Sequence, residues 1–156
     1  MKTKNVTLSS FLMLYCFAWG GVELRDASLE PVEGFDEMTS RVGNDERTVY
    51  VSPKVHINSS VIEEVHVIPT GTLTYQGKTE TVYGVLLILT DQGAEKMREI
   101  SRSRMSERFA IVVDGEILSL PVVRAEVGKH IGITASQTRA EAEVIKRNVE
   151  AALEKQ

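Results

Sequence analysis

The hydrophobic period of the chain switches between about two and about 3.6 residues from Thr48 onward, and each switch marks an element. TVYVS, Thr48 to Ser52, is a β-branched and aromatic run that predicts a strand closed by Pro53. NSSVIEEVHV offers Asn58 or Ser59 as a helix N-cap with Glu63 and Glu64 in the first turns, predicting a short helix before the next strand. VHVIPTGTLTY and TVYGVLLILT then read as two strands joined at Gln76-Gly77-Lys78, and the continuous apolar run Val85 to Leu89 belongs in the middle of a sheet. Through TDQGAEKMREISRSRM the period lengthens. Ala94, Met97, Ile100 or Ser101, and Met105 fall on one helical face, with Thr90 or Asp91 as cap.

FAIVVDGEILSLPVV, Phe109 to Val123, folds two apolar runs about Asp114-Gly115, a pair that tolerates the positive φ angles of a type I′ turn. Phe109, Ile111 and Val113 share one face and Ala110 and Val112 the other; all five are apolar, so the outgoing arm should be covered on both sides. In the return arm Leu118, Leu120 and Val122 alternate, and Pro121, which has no N–H to donate, suits an edge or a strand end. HIGITA predicts one more short strand. The last segment is helical, with Thr138 and Glu141 as a capping box and Ala142, Ile145, Val149, Ala152 and Leu153 on one face. The expected fold is α+β: a single small domain, 48–156, with two or three helices packed on a largely antiparallel sheet. Residues 21–47, broken by Pro31, Gly34 and Gly43, read as an irregular arm with at most a short strand near Val22 to Arg25.

The first residues change the picture of where the domain resides. Lys2 and Lys4 precede a mostly apolar stretch, Val6 to Ala18, and Ala18-Trp19-Gly20 puts small residues three and one before a cut after Gly20. Residues 1–20 are therefore expected to be a signal peptide, with an uncleaved anchor or a lipid-modified Cys16 as the alternatives, and the domain is expected outside the cytoplasm. Cys16 is the sole cysteine, so a chain cut there has no disulfide or thiol chemistry.

Composition excludes more than it assigns. With 156 residues, 42% hydrophobic and 26% charged, the chain is long enough for one core, and 18 basic against 22 acidic side chains are interspersed, which removes a nucleic-acid footprint. His56, His66 and His130 stand far apart, and none has metal-ligand spacing with another His, Cys or carboxylate; surface or strand positions explain them, and no metal or cofactor is expected. No nucleophile elbow surrounds Ser59 or Ser60, Asp114 is explained by its turn, and Glu63-Glu64 do not face each other on a helix. Gly71, Gly77, Gly84 and Gly93 form no phosphate loop, and Asn58-Ser59-Ser60 matches a glycosylation sequon that matters only in a eukaryotic secretory pathway. No catalytic residue is assigned.

YGVLLILTDQGAEKM, FAIVVDGEILSLPVV and HIGITASQTRAEAEVI together resemble the head subdomain of the first periplasmic region of SecD, part of the SecDF protein-export membrane complex. The resemblance rests on Leu89, Thr90, Gly93 and Ala94; on Ala110, Ile111, Asp114, Gly115, Ser119, Pro121 and Val122; and on Ile133, Thr134, Thr138, Glu141 and Ala142, in order over Val49 to Leu153. The family's usual Gly-x-Phe after Ile-Thr is Ala135-Ser136-Gln137 here, and no multi-span segment follows in this sequence. The resemblance implies a non-enzymatic extracytoplasmic domain whose partners are unfolded or exported polypeptide, or translocon components, without the proton-coupled membrane part. The expected contact surface is the return edge, Ile117, Leu118, Ser119, Leu120, Pro121 and Val122, taking an extended chain through main-chain hydrogen bonds. The alternative is a head-like fold reused as a structural or weak homo-oligomerisation module across the same edge.

Overall fold

The computed structural model describes residues 20–42, 45–133 and 138–155. The expected signal segment with Cys16 lies outside these residues, apart from Gly20, and so do residues 134–137. Strands β1 (Val22–Ser28), β2 (Asp36–Ser40) and β3 (Arg47–Asn58) are followed by a single 3-10 turn, Ser59–Val61, and then by β4 (Ile62–Tyr75) and β5 (Lys78–Leu89). Helix α1 (Asp91–Ser103), strands β6 (Arg108–Val113), β7 (Glu116–Ser119) and β8 (His130–Ile133), and helix α2 (Arg139–Leu153) complete the order.

Five strands close a small barrel in the order β1-β3-β2-β7-β6, and β4-β5-β8 form a separate three-stranded sheet. Every ladder is antiparallel except the contact between β2 and β7, where Ser40 pairs with Ile117. The α+β expectation thus holds in its coarse form, with two helices and a sheet-rich single small domain, but the sheet is divided.

Three sequence readings are corrected. Residues 21–47 are not an irregular arm, because β1 and β2 are barrel strands and β1 closes the barrel by pairing with both β3 and β6. The helix expected after Asn58 is only one 3-10 turn, which Asn58 does cap by accepting from the Ser60 N–H; β-branched Val61, Ile62, Val65 and Val67 then favour the extended chain of β4, so Glu63 and Glu64 sit on a strand. Pro53 does not end its strand. It falls where the β1–β3 register slips between Arg25 and Ala27, a bulge in which its missing N–H costs no ladder bond, and the Arg25 guanidinium fills the gap by donating to the Ser52 and Pro53 carbonyls at 3.3 and 3.4 Å.

The two-sided burial read from FAIVV is what joins the layers. Phe109, Ile111 and Val113 belong to the main core with Val85, Leu87 and Leu89 of β5, Met97 of α1, and Ala142, Val149 and Ala152 of α2. Ala110 and Val112 point the other way, into the barrel with Val49, Val51 and Ile117. Each fully buried Val, Leu or Ile contributes about 1.5–3 kcal/mol, so one six-residue strand anchors both cores. Met105, expected on the α1 face, lies past the helix end and is exposed.

Candidate functional site

The return arm leaves the barrel almost at once. Asp114 and Gly115, at φ 48° and 84°, form the expected two-residue turn, and β7 then pairs with β6 on one side and touches β2 on the other. Of the edge expected at Ile117 to Val122, only Ile117 has a strand partner on the outer side, through its single pairing with Ser40 of β2. Beyond Ser119 the chain stays beside the start of β6, where the Phe109 N–H donates to the Pro121 carbonyl and the Val123 N–H to the Glu107 carbonyl, both within 2.9 Å. The six predicted contact residues consequently part company. Ile117 and Ser119 are buried, Leu118 lines a groove of about 400 Å³ against α2, Leu120 packs on the barrel core, and Pro121 and Val122 reach a different place.

That place is an apolar crevice of about 150 Å³ lined by Pro121, Val122 and Val127 of the return segment, Met97 of α1, Leu24 and Phe109 of the barrel, and Ile131 and Gly132 of β8. Its volume matches that of apolar cavities able to take one benzene-sized group. Beside it, β8 is a terminal strand: Ile133 to His130 pair with Val85 to Ile88 of β5 on one side, and no strand among the described residues pairs on the other. Gly132 is exposed, and a Cβ there would meet no atom within 4 Å, so the strand presents bare backbone. Unpaired backbone next to a half-open, largely apolar slot, with Arg124 and His130 also in its lining, is the geometry for adding a strand and seating one side chain. Sequence reasoning named Pro121 and Val122 but missed β8 as their counterpart; HIGI, a short β-branched run with a glycine, was the available signal.

Asp114 does more than turn the chain. Its Oδ1 accepts the Gly21 N–H at 3.0 Å, its own N–H donates to the Gly21 carbonyl at 2.9 Å, and its Oδ2 takes the Lys155 ammonium beyond α2 at 2.5 Å. The hydrogen bond from Lys155, with that from Gly21, holds the Asp114 carboxyl below the usual carboxylate range. Lys129 at the start of β8 is pushed up, chiefly by its bond to Asp91. Gly93, Ala94, Thr138 and Glu141 have structural roles. The Thr138 hydroxyl accepts from the Glu141 N–H while the Glu141 carboxylate accepts from the Thr138 N–H, completing the expected capping box.

The histidines separate by environment. His66 is exposed beside Glu64, whereas His56 is buried in the barrel wall with Nε2 2.8 Å from Asp26 Oδ2 and its ring edge-on to Phe109. The Arg104 guanidinium approaches the same Asp26 oxygen at 3.4 Å, so the carboxylate is shared. Among the described residues no group of three His, Cys, Asp or Glu side chains could hold a metal ion. The β4–β5 ribbon projects past β8 with Thr72, Thr74, Thr79 and Thr81 on one face and Leu73, Tyr75, Lys78, Glu80 and Val82 on the other, a division that alternation in TLTY and TETV already carries. No described helix is long and apolar enough to cross a membrane.

No curated protein matches the chain. Among solved structures, one described as a membrane component SecDF that enhances protein export superposes with a TM-score of 0.59 at 20% identity, covering 85% of this chain. A second, SecDF in a super-membrane-facing form, superposes with a TM-score of 0.57 at 20% identity over 85% of this chain. The chain spans 62% of the first of these proteins and 19% of the second. At that identity the likeness speaks for the fold. The family model described as the SecDF P1 head subdomain matches residues 36–152, most of the barrel, the whole β4-β5-β8 sheet and nearly all of α2; the chain belongs to that family.

Proposed function

We propose that this protein is a non-enzymatic extracytoplasmic head domain that binds extended polypeptide during export across the membrane, and that it does so at β8 rather than along β7. The observation that supports this reading is the open β8 edge beside the apolar crevice of Pro121, Val122, Val127 and Ile131. Main-chain hydrogen bonds to β8 are indifferent to sequence, and one slot of about 150 Å³ adds only a preference for an apolar side chain. Such a site holds many clients weakly, which suits passing chains. The protein-export role described for a similar SecDF structure gives the process, and translocon subunits are the neighbours such a domain would meet.

The test is an amide NMR titration with a permanently unfolded, cysteine-capped polypeptide, run on the wild type and on Val122→Glu. Binding should perturb His130 to Ile133 and the Val122 segment, and a carboxylate in the crevice should weaken it at least tenfold. An absence of perturbation at millimolar probe, or equal binding by the variant, overturns the reading. A concentration-dependent mass in sedimentation without any client binding would instead establish the oligomerisation module.

A further inference from the structure

We propose that the protein is cut between Gly20 and Gly21, and that the α-ammonium released on Gly21 docks on the Asp114 carboxylate opposite Lys155 as an N-terminal latch of the barrel. The sequence marks the bond only by small residues at Ala18 and Gly20; the geometry on the far side of it is what carries the assignment. Gly21 N already lies 3.0 Å from Asp114 Oδ1, and Val22, the next residue, opens β1 in register with Val113. Gly20 is exposed and Gly21 buried, so the bond sits where the chain enters the barrel, immediately before the first ladder pair. In the uncut chain Gly21 has φ 101°, a region that an L side chain rarely adopts, so a glycine suits the passage from Gly20 into β1.

Cleavage needs only water and a peptidase of the signal-processing class. The water oxygen adds to the Gly20 carbonyl carbon, the C–N bond breaks, Gly20 ends as a carboxylate, and the Gly21 nitrogen takes up both water protons to become an ammonium. What was a neutral amide donor to Asp114 Oδ1 is then a charged one, and charge-assisted hydrogen bonds are roughly twice as strong. The carboxylate can serve both cations because each oxygen has its own: Oδ1 for Gly21 and Oδ2 for Lys155. Its depressed titration fits a group built to stay ionised. Glu116, which lines the same groove, adds negative charge on the β7 side. The latch thus joins the first residue of the cut chain to the β6–β7 turn and to the end of α2. Because β1 precedes residue 36, where the family match begins, this closure comes from a part of the chain outside that match.

The experiment expresses the full chain in an exporting bacterial host, determines the N-terminus by intact mass and terminal sequencing, and titrates the terminal amine by NMR. A terminus at Gly21 is expected, with its amine titrating about one unit above the ordinary 7.7–8.0, the Lys155 charge holding it to the low end of what an adjacent opposite charge produces. Asp114→Asn, which keeps the turn because Asn tolerates its positive φ, should return the amine to its ordinary value, and Lys155→Met should raise it further. Adding one residue before Gly21 displaces the charge, and should lower the Tm below pH 7 but leave it unchanged above pH 10. A terminus elsewhere overturns the cut; an amine with an ordinary value in the wild type, or extended and native forms that melt alike at every pH, overturns the latch.

Discussion

Replacing Gly93 by alanine should destabilise the protein although alanine is the better helix former. Gly93 sits in the first turn of α1, its N–H capped by the Thr90 hydroxyl at 3.1 Å, and its φ is not in the positive region. On propensity alone the change favours the helix by up to about 1 kcal/mol. Against this, a Cβ at 93 would lie 2.9 Å from Val61 Cβ, 3.0 Å from the Val61 carbonyl oxygen and 3.1 Å from Val61 Cγ2. Two of those atoms move only with the backbone, and the carbonyl is fixed by accepting the Thr90 N–H at 2.9 Å. No rotamer change relieves the contact, so the cost belongs in the upper part of the roughly 1–3 kcal/mol range for overpacking. The net loss is about 1–2 kcal/mol, or roughly 3–10 °C in Tm for a domain of this size. Urea melts followed by circular dichroism would measure it as a lower midpoint at unchanged slope. Gly132→Ala is the control: no atom stands within 4 Å of its Cβ, so the loss of backbone freedom in the unfolded chain should stabilise by about 0.5 kcal/mol. A Gly93→Ala protein as stable as the wild type would refute the reasoning, since it would mean the N-terminus of α1 can lift from the 3-10 turn without cost.

Ser59→Ala should cost about 1–3 kcal/mol in a urea melt, because the buried Ser59 hydroxyl accepts the Val22 N–H at 2.7 Å and its loss orphans that donor at the start of β1. Thr138→Ala removes the hydroxyl of the α2 capping box and should cost about 1 kcal/mol, lowering the Tm by a few degrees. Asp114 has a lowered pKa, so its contribution is present above the unfolded value of about 3.9 and is lost as pH falls through the folded one. Asp114→Asn should therefore melt below the wild type at pH 7 and match it near pH 2; a gap that persists at acid pH would refute the electrostatic account.

How much of this was legible depends on whether a feature is local. The turns at Gln76-Gly77 and Asp114-Gly115, the capping box at Thr138 and the two-faced burial of Phe109 to Val113 follow from spacing and backbone preference within a few residues, and all are present. The division of the strands between barrel and sheet was not legible, because it rests on pairings such as Val22 with Val113, set by the whole core. Residues 21–47 misled for the same reason. Pro31 and Gly34 flank a real turn between β1 and β2, but DEMTS has almost no apolar content and becomes a strand only because β3 and β7 supply its partners. Ile117 is apolar because the barrel buries it, and its pairing with Ser40 occupies the first position of the edge that its apolarity had advertised.

Closing the barrel also decides which surface is left to do work. Among the described strands, β1, β3 and β6 are paired on both sides while β2 and β7 meet only through Ser40 and Ile117, so the β4-β5-β8 sheet offers the more open edges for strand addition. Of that sheet's two outer strands, β4 carries Pro69 beside a register slip, with charged Glu63 and Glu64 near its start, features that discourage pairing along its length. β8 carries none of these. It is short, has an exposed glycine at its centre, and is flanked by an apolar slot whose walls come from α1, the barrel and the return segment together. A four-residue edge is too small to template aggregation yet long enough for two or three main-chain bonds, so affinity there must be low without the slot and only modest with it. The open β8 edge and the barrel closed behind it are thus two results of one topology.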